Sequence, residues 1–427
     1  MASPTTSRQT PAPRPAATRT RTSPRPALSW LSERAGDPVM SSCGTSHRSV
    51  PVDEAVARIW PLRNRIGISR VADLTPLDIL GIPVFSVTRP HAATGQITLC
   101  QGKGSGKQEA LASALFEALE RHCGSIARPT LTATTAQLLC EGREFLDADA
   151  LGLDRLPDGP MEWIEATDSA DGHPVLLPAA EVLFPYTAPA GCARPVRPST
   201  TGLASGATLA EAVLHAAYEV VERDATSRYL HGGPGHLVDQ NTITGAVERD
   251  LLARYARAGV DSLVIDLTHT TVLPTFAVFL SDPHAHQAHL AVSGFGTHIN
   301  AGVALQRALT EAAQARATAI QGSREDLDRV AAVYRADPAK QRTAFVLRAL
   351  EARSHGVTDF RDLPTPPPRS TRATLEYVAD HLHRGGYDQV LHTDLTVTGL
   401  DLPVAHVAIP GMVDSIVEPD RSHRAHH

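Results

Sequence analysis

The sequence predicts an α/β chain in the broad (α+β) sense, with mixed sheets and covering helices, and three observations carry that prediction. Short β-rich runs repeatedly stand before long helical stretches. A unit of strand, strand, glycine loop and helix recurs. Val71–Thr75, Ile82–Val87 and Gln96–Cys100 lead through Gln101-Gly-Lys-Gly-Ser-Gly-Lys107 into a helix over 108–123. Val264–Thr268, Pro274–Val278 and His289–Ser293 lead through Gly294-Phe-Gly-Thr-His298 into a helix over 301–321. The word Asp-Leu-Thr opens both copies, at Asp73 and Asp266, and stands again at Asp394. Glu117 follows Asp73 at almost the interval at which Glu311 follows Asp266. The pattern reads as an internal duplication with a partial copy at the C-terminus, the alternative being chance recurrence of a short word.

Composition sets the class. A chain of 427 residues that is 42% hydrophobic buries one large core or two or three smaller ones. A net charge of −6 shows no basic excess, which gives nonspecific nucleic-acid binding little support. Five cysteines (Cys43, Cys100, Cys123, Cys140 and Cys192) lack CxxC spacing, against a zinc site or disulfide scaffold, and are expected to be reduced core thiols. No apolar run reaches the ~20 residues of a membrane span, and no apolar stretch follows the N-terminal arginines as a secretory signal requires. A cytoplasmic location is expected.

In chain order, residues 1–38 are Pro- and Arg-rich with almost no large apolar side chains and read as a disordered tail. The alternative is an over-extended start, with 1–39 foreign to the native protein and Met40 as initiator. Order is expected from near Pro51, where Val52, Val56 and Ile59 have helical spacing. Glu162–Ala166 and Pro174–Pro178 read as strands. The small-residue loop from Arg197 runs into a helix with Thr208 as N-cap and Glu211 completing a capping box. Helices follow at 326–335 and 342–353, then a break at Pro364–Pro368, a helix over 371–383, and a strand over 403–409. Residues 414–427 read as a disordered tail, with His423, His426 and His427 in a frayed end and not in a metal site.

Chemistry concentrates on three helical stripes. On the Thr208 helix, Glu219 and Glu222 fall within about 80° of Glu211, while Val213, Ala216, Ala217 and Val220 lie opposite. His215 shares the acidic stripe, as a proton shuttle or a structural hydrogen-bonding residue. Ser113, Glu117 and Glu120 form the corresponding stripe of the first copy, against Leu111, Leu115, Ala118 and Leu119. Arg307, Glu311 and Gln314 form that of the second, with Arg316 on the opposite side. Each alone is compatible with a solvated face. If the stripes converge, their carboxylates repel unless cations sit among them, and hard oxygen ligands suit Mg2+. Lys103, Arg223 and Arg307 would then meet phosphate charge. The loop Gly102–Lys107 resembles a phosphate cradle but lacks Walker spacing, and a plain strand-to-helix turn accounts for it equally.

These residues resemble the YcaO family. The resemblance rests on Gly102-Lys-Gly104 with Ser113–Arg121, on Gly202–Ala212 with Glu219–Ala225, and on Arg307–Arg316, and it covers 43–413 in order as a YcaO domain. It implies a YcaO-type fold, ATP and Mg2+ as cofactors, and phosphorylation of the oxygen of a peptide backbone amide. By position it implies that Glu117, Glu120, Glu219 and Glu222 hold Mg2+, and that Ser113, Glu211, Arg223, Gln314 and Arg316 contact nucleotide beside Lys103, Arg307 and Glu311. Thr201 and Ala207 stand where the family usually carries Asn, which leaves an inactive member open. The Pro-x-Pro-x-Pro tail of many azoline-forming members is absent. Gly44–Arg48, Gly67–Asp73 and Gly81–Phe85 look similar to members that work beside a TfuA partner, which are associated with thioamide formation. The resemblance therefore implies thioamidation of a ribosomal precursor peptide or protein with a TfuA-like partner. An azoline-forming cyclodehydratase and a non-catalytic nucleotide-binding scaffold are the alternatives, and a homodimer is left open.

Overall fold

The computed structural model describes residues 39–43, 46–268, 273–283, 292–324 and 338–415. The chain starts with a hairpin of β1 (Ser41–Cys43) and β2 (Ser46–Arg48), then α1 (Val52–Ile59). An antiparallel meander of β3 (Arg70–Asp73), β4 (Val84–Thr88) and β5 (Leu99–Lys103) leads into α2 (Lys107–Ile126). Next come β6 (Leu131–Ala133), α3 (Thr135–Cys140), β7 (Met161–Asp168), β8 (Pro174–Pro178), α4 (Ala179–Val182), β9 (Leu203–Ser205) and α5 (Leu209–Leu230). After β10 (His236–Asp239) and α6 (Ala246–Arg257), a second meander of β11 (Asp261–Asp266), β12 (Thr275–Ser281) and β13 (Ser293–Thr297) leads into α7 (Ala301–Gln321). The described chain ends with α8 (Pro338–His355), β14 (Val357–Asp359), α9 (Thr371–Arg384), β15 (Leu391–Asp394) and β16 (Val404–Ala408). One sheet has the order β13-β12-β11-β10-β14 and another β6-β7-β15-β16-β9, with β8 also paired to β7.

The duplication is real, and the partial copy is a whole one. Strand β16 pairs antiparallel with β9, and β9 leads into α5. The third unit is thus β15-β16-β9-α5, its first two strands from the C-terminal part of the chain and its last strand and helix from the middle. The three Asp-Leu-Thr words are one device used three times. Each aspartate accepts the N–H two residues on, from Thr75 (2.9 Å), Thr268 (2.8 Å) and Thr396 (2.9 Å). Each threonine hydroxyl then accepts the N–H of Val84, Thr275 or Val404 where the next strand begins. These Asx turns end one strand and fix the return of its neighbour.

The first glycine loop is part strand and part strand-to-helix turn, over 104–106, and the second is mostly strand. Gln101–Lys103 belongs to β5 and Gly294–Thr297 to β13. Glycine is needed because the following helix lies directly on the strand: a Cβ on Gly102 would come within 2.0 Å of the Ala114 nitrogen, and one on Gly294 within 2.2 Å of the Ala312 nitrogen. Each helix also packs on the next unit, α2 on β9, α5 on β13 and α7 on β5, so the three units close into a ring.

Other expectations change at the margins. Order begins before Pro51: Met40 is buried in the cluster that includes Val213 and Val378, and its N–H donates to Arg369 O at 2.9 Å. At the other end Asp414 and Ser415 are buried, and Ser415 N donates to Ser227 Oγ at 3.1 Å, so order continues past 413. Residues 1–38, the helix expected over 326–335, and His423, His426 and His427 lie outside the described residues. Thr208 caps α5 by accepting from Glu211 N at 3.1 Å, but the Glu211 carboxylate turns to Arg48 and Ser49 and does not complete a capping box. Helix α5 is buried on both faces, which removes the solvated-face reading of its stripe. Cys100 and Cys123 are buried core thiols, both pushed up to about 12, chiefly by burial; Cys140 is exposed and Cys192 half-buried. Among the described residues no helix is long and apolar enough to cross a membrane.

The close helix-on-strand contact predicts that Gly294→Ala destabilises the fold by roughly 2–3 kcal/mol in urea unfolding, because backbone must move to admit the methyl group. Gly106→Ala, where an added Cβ meets nothing within 4 Å, should stay within about 1 kcal/mol of the unaltered protein.

Candidate functional site

The strands β5, β9 and β13 hold α2, α5 and α7 so that their stripes face one another across a cavity of about 1160 Å3. Its wall includes Lys103, Ser113, Glu117, Glu120, Glu211, Glu219, Glu222, Arg223, Arg307, Glu311 and Gln314. The geometry therefore gathers every expected site residue except one. Arg316 lies on the far side of α7, where its guanidinium pairs with Asp78 (3.1 Å) and Asp282 (3.0 Å) and ties two loops to the helix. Its place opposite Gln314 on the helical wheel is the physical reason.

Backbone donors position the carboxylates. Glu117 Oε2 accepts from Gln101 N (2.8 Å), and its Oε1 pairs with Arg121 (3.0 Å). Glu120 Oε1 accepts from both the N–H (2.9 Å) and the hydroxyl (2.6 Å) of Ser205. Glu222 Oε2 accepts from Thr297 N (3.0 Å), and Arg223 lies 3.6 Å from Glu219. Glu311 accepts weakly from Phe295 N (3.4 Å) and forms an ion pair with Lys103.

The charges are unevenly balanced. Burial pushes Glu120 up to about 8 against the opposing Ser205 hydrogen bonds, and pushes Glu219 up to about 7 against Arg223. Burial also raises Glu222, with Glu311 adding to the rise. Burial acts in the same sense on Glu311, but Lys103 and Arg223 outweigh it and hold this carboxyl below its ordinary range. Glu120, Glu219 and Glu222 are thus under-compensated while Glu311 has its share of positive charge.

Residues fit for Mg2+ and a polyphosphate stand together here. The Nε atoms of Arg223 and Arg307 are buried without a hydrogen-bond partner, an arrangement that calls for an anion. Among the described residues no three His, Cys, Asp or Glu side chains lie close enough to ligate one ion. Mg2+ takes one or two carboxylates and completes its shell with water and phosphate oxygens.

Several contacts were not read from the sequence. Arg48 Nη1 meets both Glu211 Oε1 (3.0 Å) and His215 Nδ1 (2.7 Å), and the Ser49 hydroxyl donates to Glu211. Since arginine only donates, His215 Nδ1 accepts, and burial with Arg48 and Arg307 keeps the ring neutral, favouring the structural role. Arg121 and Ser205 complete the missed set. Arg121 was legible in principle, four residues after Glu117 as Arg223 is after Glu219. Ala207 lines the cavity, whereas Thr201 does not: its hydroxyl donates to Asp414 at 2.7 Å.

The raised carboxyls set a pH dependence. A carboxyl whose folded pKa exceeds its unfolded value gives stability that is present at low pH and lost as pH rises through the folded value. With Glu120 at about 8 and Glu219 at about 7, the protein without added divalent cation should melt lower at pH 8.5 than at pH 5.5. Glu120→Gln should make that fall shallower, and MgCl2 should raise Tm more at the higher pH. Thermal melts across that range check both.

Comparison with known proteins places this geometry. The family model described as YcaO cyclodehydratase, ATP- and Mg2+-binding, matches residues 101–413. An uncharacterised protein of Methanothermobacter thermautotrophicus is 35% identical over 359 residues, spanning 83% of this chain and 92% of that one. A Rhizobium leguminosarum bv. trifolii protein, described as lying in the tfuA 3′ region, is 33% identical over 417 residues, spanning 90% and 94%. Among solved structures, YcaO from Methanopyrus kandleri bound with AMPPCP and Mg2+ shares the fold, with a TM-score of 0.71 at 23% identity over 91% of this chain and 98% of that one. A heterocyclase in complex with substrate and cofactor has a TM-score of 0.71 at 21% identity, over 88% of this chain and 55% of that one.

Proposed function

The chain belongs to the YcaO family, and from that premise we propose that it uses ATP and Mg2+ to form thioamides in the backbone of a ribosomal peptide or protein, with a TfuA-like partner. The observation that carries the ATP-dependent chemistry is the charge pattern: under-compensated glutamates on α2 and α5 face Lys103 and the unpartnered guanidinium nitrogens of Arg223 and Arg307 across one cavity. Support for the sulfur chemistry and the partner comes from the relative in the tfuA 3′ region.

In this reading a hydrosulfide adds to the amide carbon and the carbonyl electrons move to oxygen. That oxygen takes the γ-phosphoryl group of ATP, and phosphate departs as the C–O bond breaks, the thiol proton is lost and C=S forms. Glu117, Glu120, Glu219 and Glu222 would hold Mg2+, which neutralises phosphate charge. Arg223 and Arg307 are fixed donors toward the phosphates, with Lys103 a further positive charge beside them. Gln314, whose Nε2 lies 3.5 Å from Gln101 O, and Ser113 supply neutral contacts at the nucleotide. Cyclodehydration is the second reading, favoured by the description of the matched family and by the heterocyclase neighbours. There the nucleophile is a side chain of the peptide itself.

Glu222→Gln should lower Mg2+-dependent ATP binding by roughly 10–100-fold. The fold should survive, because the amide oxygen can still accept from Thr297 N. Calorimetric titration beside circular dichroism checks this, and unchanged affinity would count against the constellation. With peptide, sulfide and partner present, mass spectrometry of the product decides the reaction: exchange of oxygen for sulfur supports thioamidation, and loss of one water supports azoline formation.

A further inference from the structure

The three units meet at three junctions, and two of them share a charge pattern that the third lacks. At the first, α2 brings Glu117, Glu120 and Arg121 to Ser205 of β9. At the second, α5 brings Glu219, Glu222 and Arg223 to Thr297 of β13. At the third, α7 brings Glu311, Gln314 and Ala315 to β5, where the residue corresponding to Ser205 and Thr297 is Lys103. That correspondence is fixed by sequence, since Lys103 precedes Glu117, Ser205 precedes Glu219 and Thr297 precedes Glu311 by the same interval.

The differences act together. The first two junctions each hold two carboxylates against one arginine of the same helix. At the third, an amide replaces the second carboxylate, a methyl group replaces the arginine, and the Lys103 ammonium sits on the remaining Glu311. Over these aligned positions the first two junctions are one negative charge in excess and the third is neutral; Arg307 of α7 also acts on Glu219 and Glu222 at the second.

Building on the Mg2+–ATP reading, we propose that the third junction is a metal-type position whose cation is built in: Lys103 is a positioning residue that stands permanently where a divalent cation binds at the other two. The phosphates then meet two exchangeable cations and one tethered to the chain. Lys103 serves by neutralising Glu311 and presenting positive charge at a fixed place.

The test rebuilds the third junction as a copy of the second, with Lys103→Thr, Gln314→Glu and Ala315→Arg combined. With a non-hydrolysable ATP analogue present, Mn2+ binding is counted by electron paramagnetic resonance, and folding is checked by circular dichroism. The altered protein should bind one more Mn2+ per chain than the unaltered one. A folded variant with unchanged stoichiometry overturns the inference. If the unaltered protein binds no Mn2+ with nucleotide, the Mg2+–ATP reading itself has failed, and the two failures are distinguishable. Should the triple variant not fold, Lys103→Met alone decides. Its nucleotide affinity should fall about tenfold at low Mg2+ and recover as Mg2+ is raised, because free cation fills the vacated place. A loss that Mg2+ does not restore overturns the inference.

Discussion

The structure depends on carboxylates of one unit being held by the backbone of another. Glu120 on α2 is anchored by Ser205 of the third unit, and Glu222 on α5 by Thr297 of the second. These bonds close the ring and orient the site in the same act. A buried carboxylate is costly unless donors satisfy it, and here the donors are N–H groups at the ends of the short strands β9 and β13. The glycines, the Asx turns and the glutamates form one chain of dependence: each turn fixes the return of a strand, the strand seats its helix, and the helix delivers its stripe to the neighbouring strand.

What the sequence revealed follows from the range of each interaction. The stripes were legible because helical periodicity is local, and that periodicity also placed Arg316 opposite the others. The glycine segments were read only in part, the turn over 104–106 being legible, because close approach and tight turning demand the same residue; the helix lying on Gly102 and Gly294 tells them apart. Arg48 meeting Glu211 joins residues far apart in the chain and left no local signal. The Asp-Leu-Thr words were legible as recurrence. Their shared meaning was not, because the third unit takes β9 and α5 from the middle of the chain and β15 and β16 from near its end.

The electrostatics separate what the fold needs from what the site needs. A fold alone is better served by apolar residues at Glu219 and Glu222 on a helix buried on both faces. Instead, the carboxyls of Glu120, Glu219 and Glu222 are all raised, so ionising them weakens the protein. Groups that oppose the fold and share one cavity mark the place where stability has been given up for binding.

Three equivalent junctions around one cavity present a difficulty for recognition, since a triphosphate has two unlike ends and a ring of equal charges would hold it in several registers. Symmetry must be broken, and the breaking is concentrated where Lys103 meets Glu311. Gln314 and Ala315 remove one negative and one positive charge from the pattern of the other helices, and Lys103 neutralises what remains. Repetition supplies the scaffold with a ready ring of carboxylates. The departure from repetition gives that ring a direction, and a phosphoryl group has to point one way to be transferred.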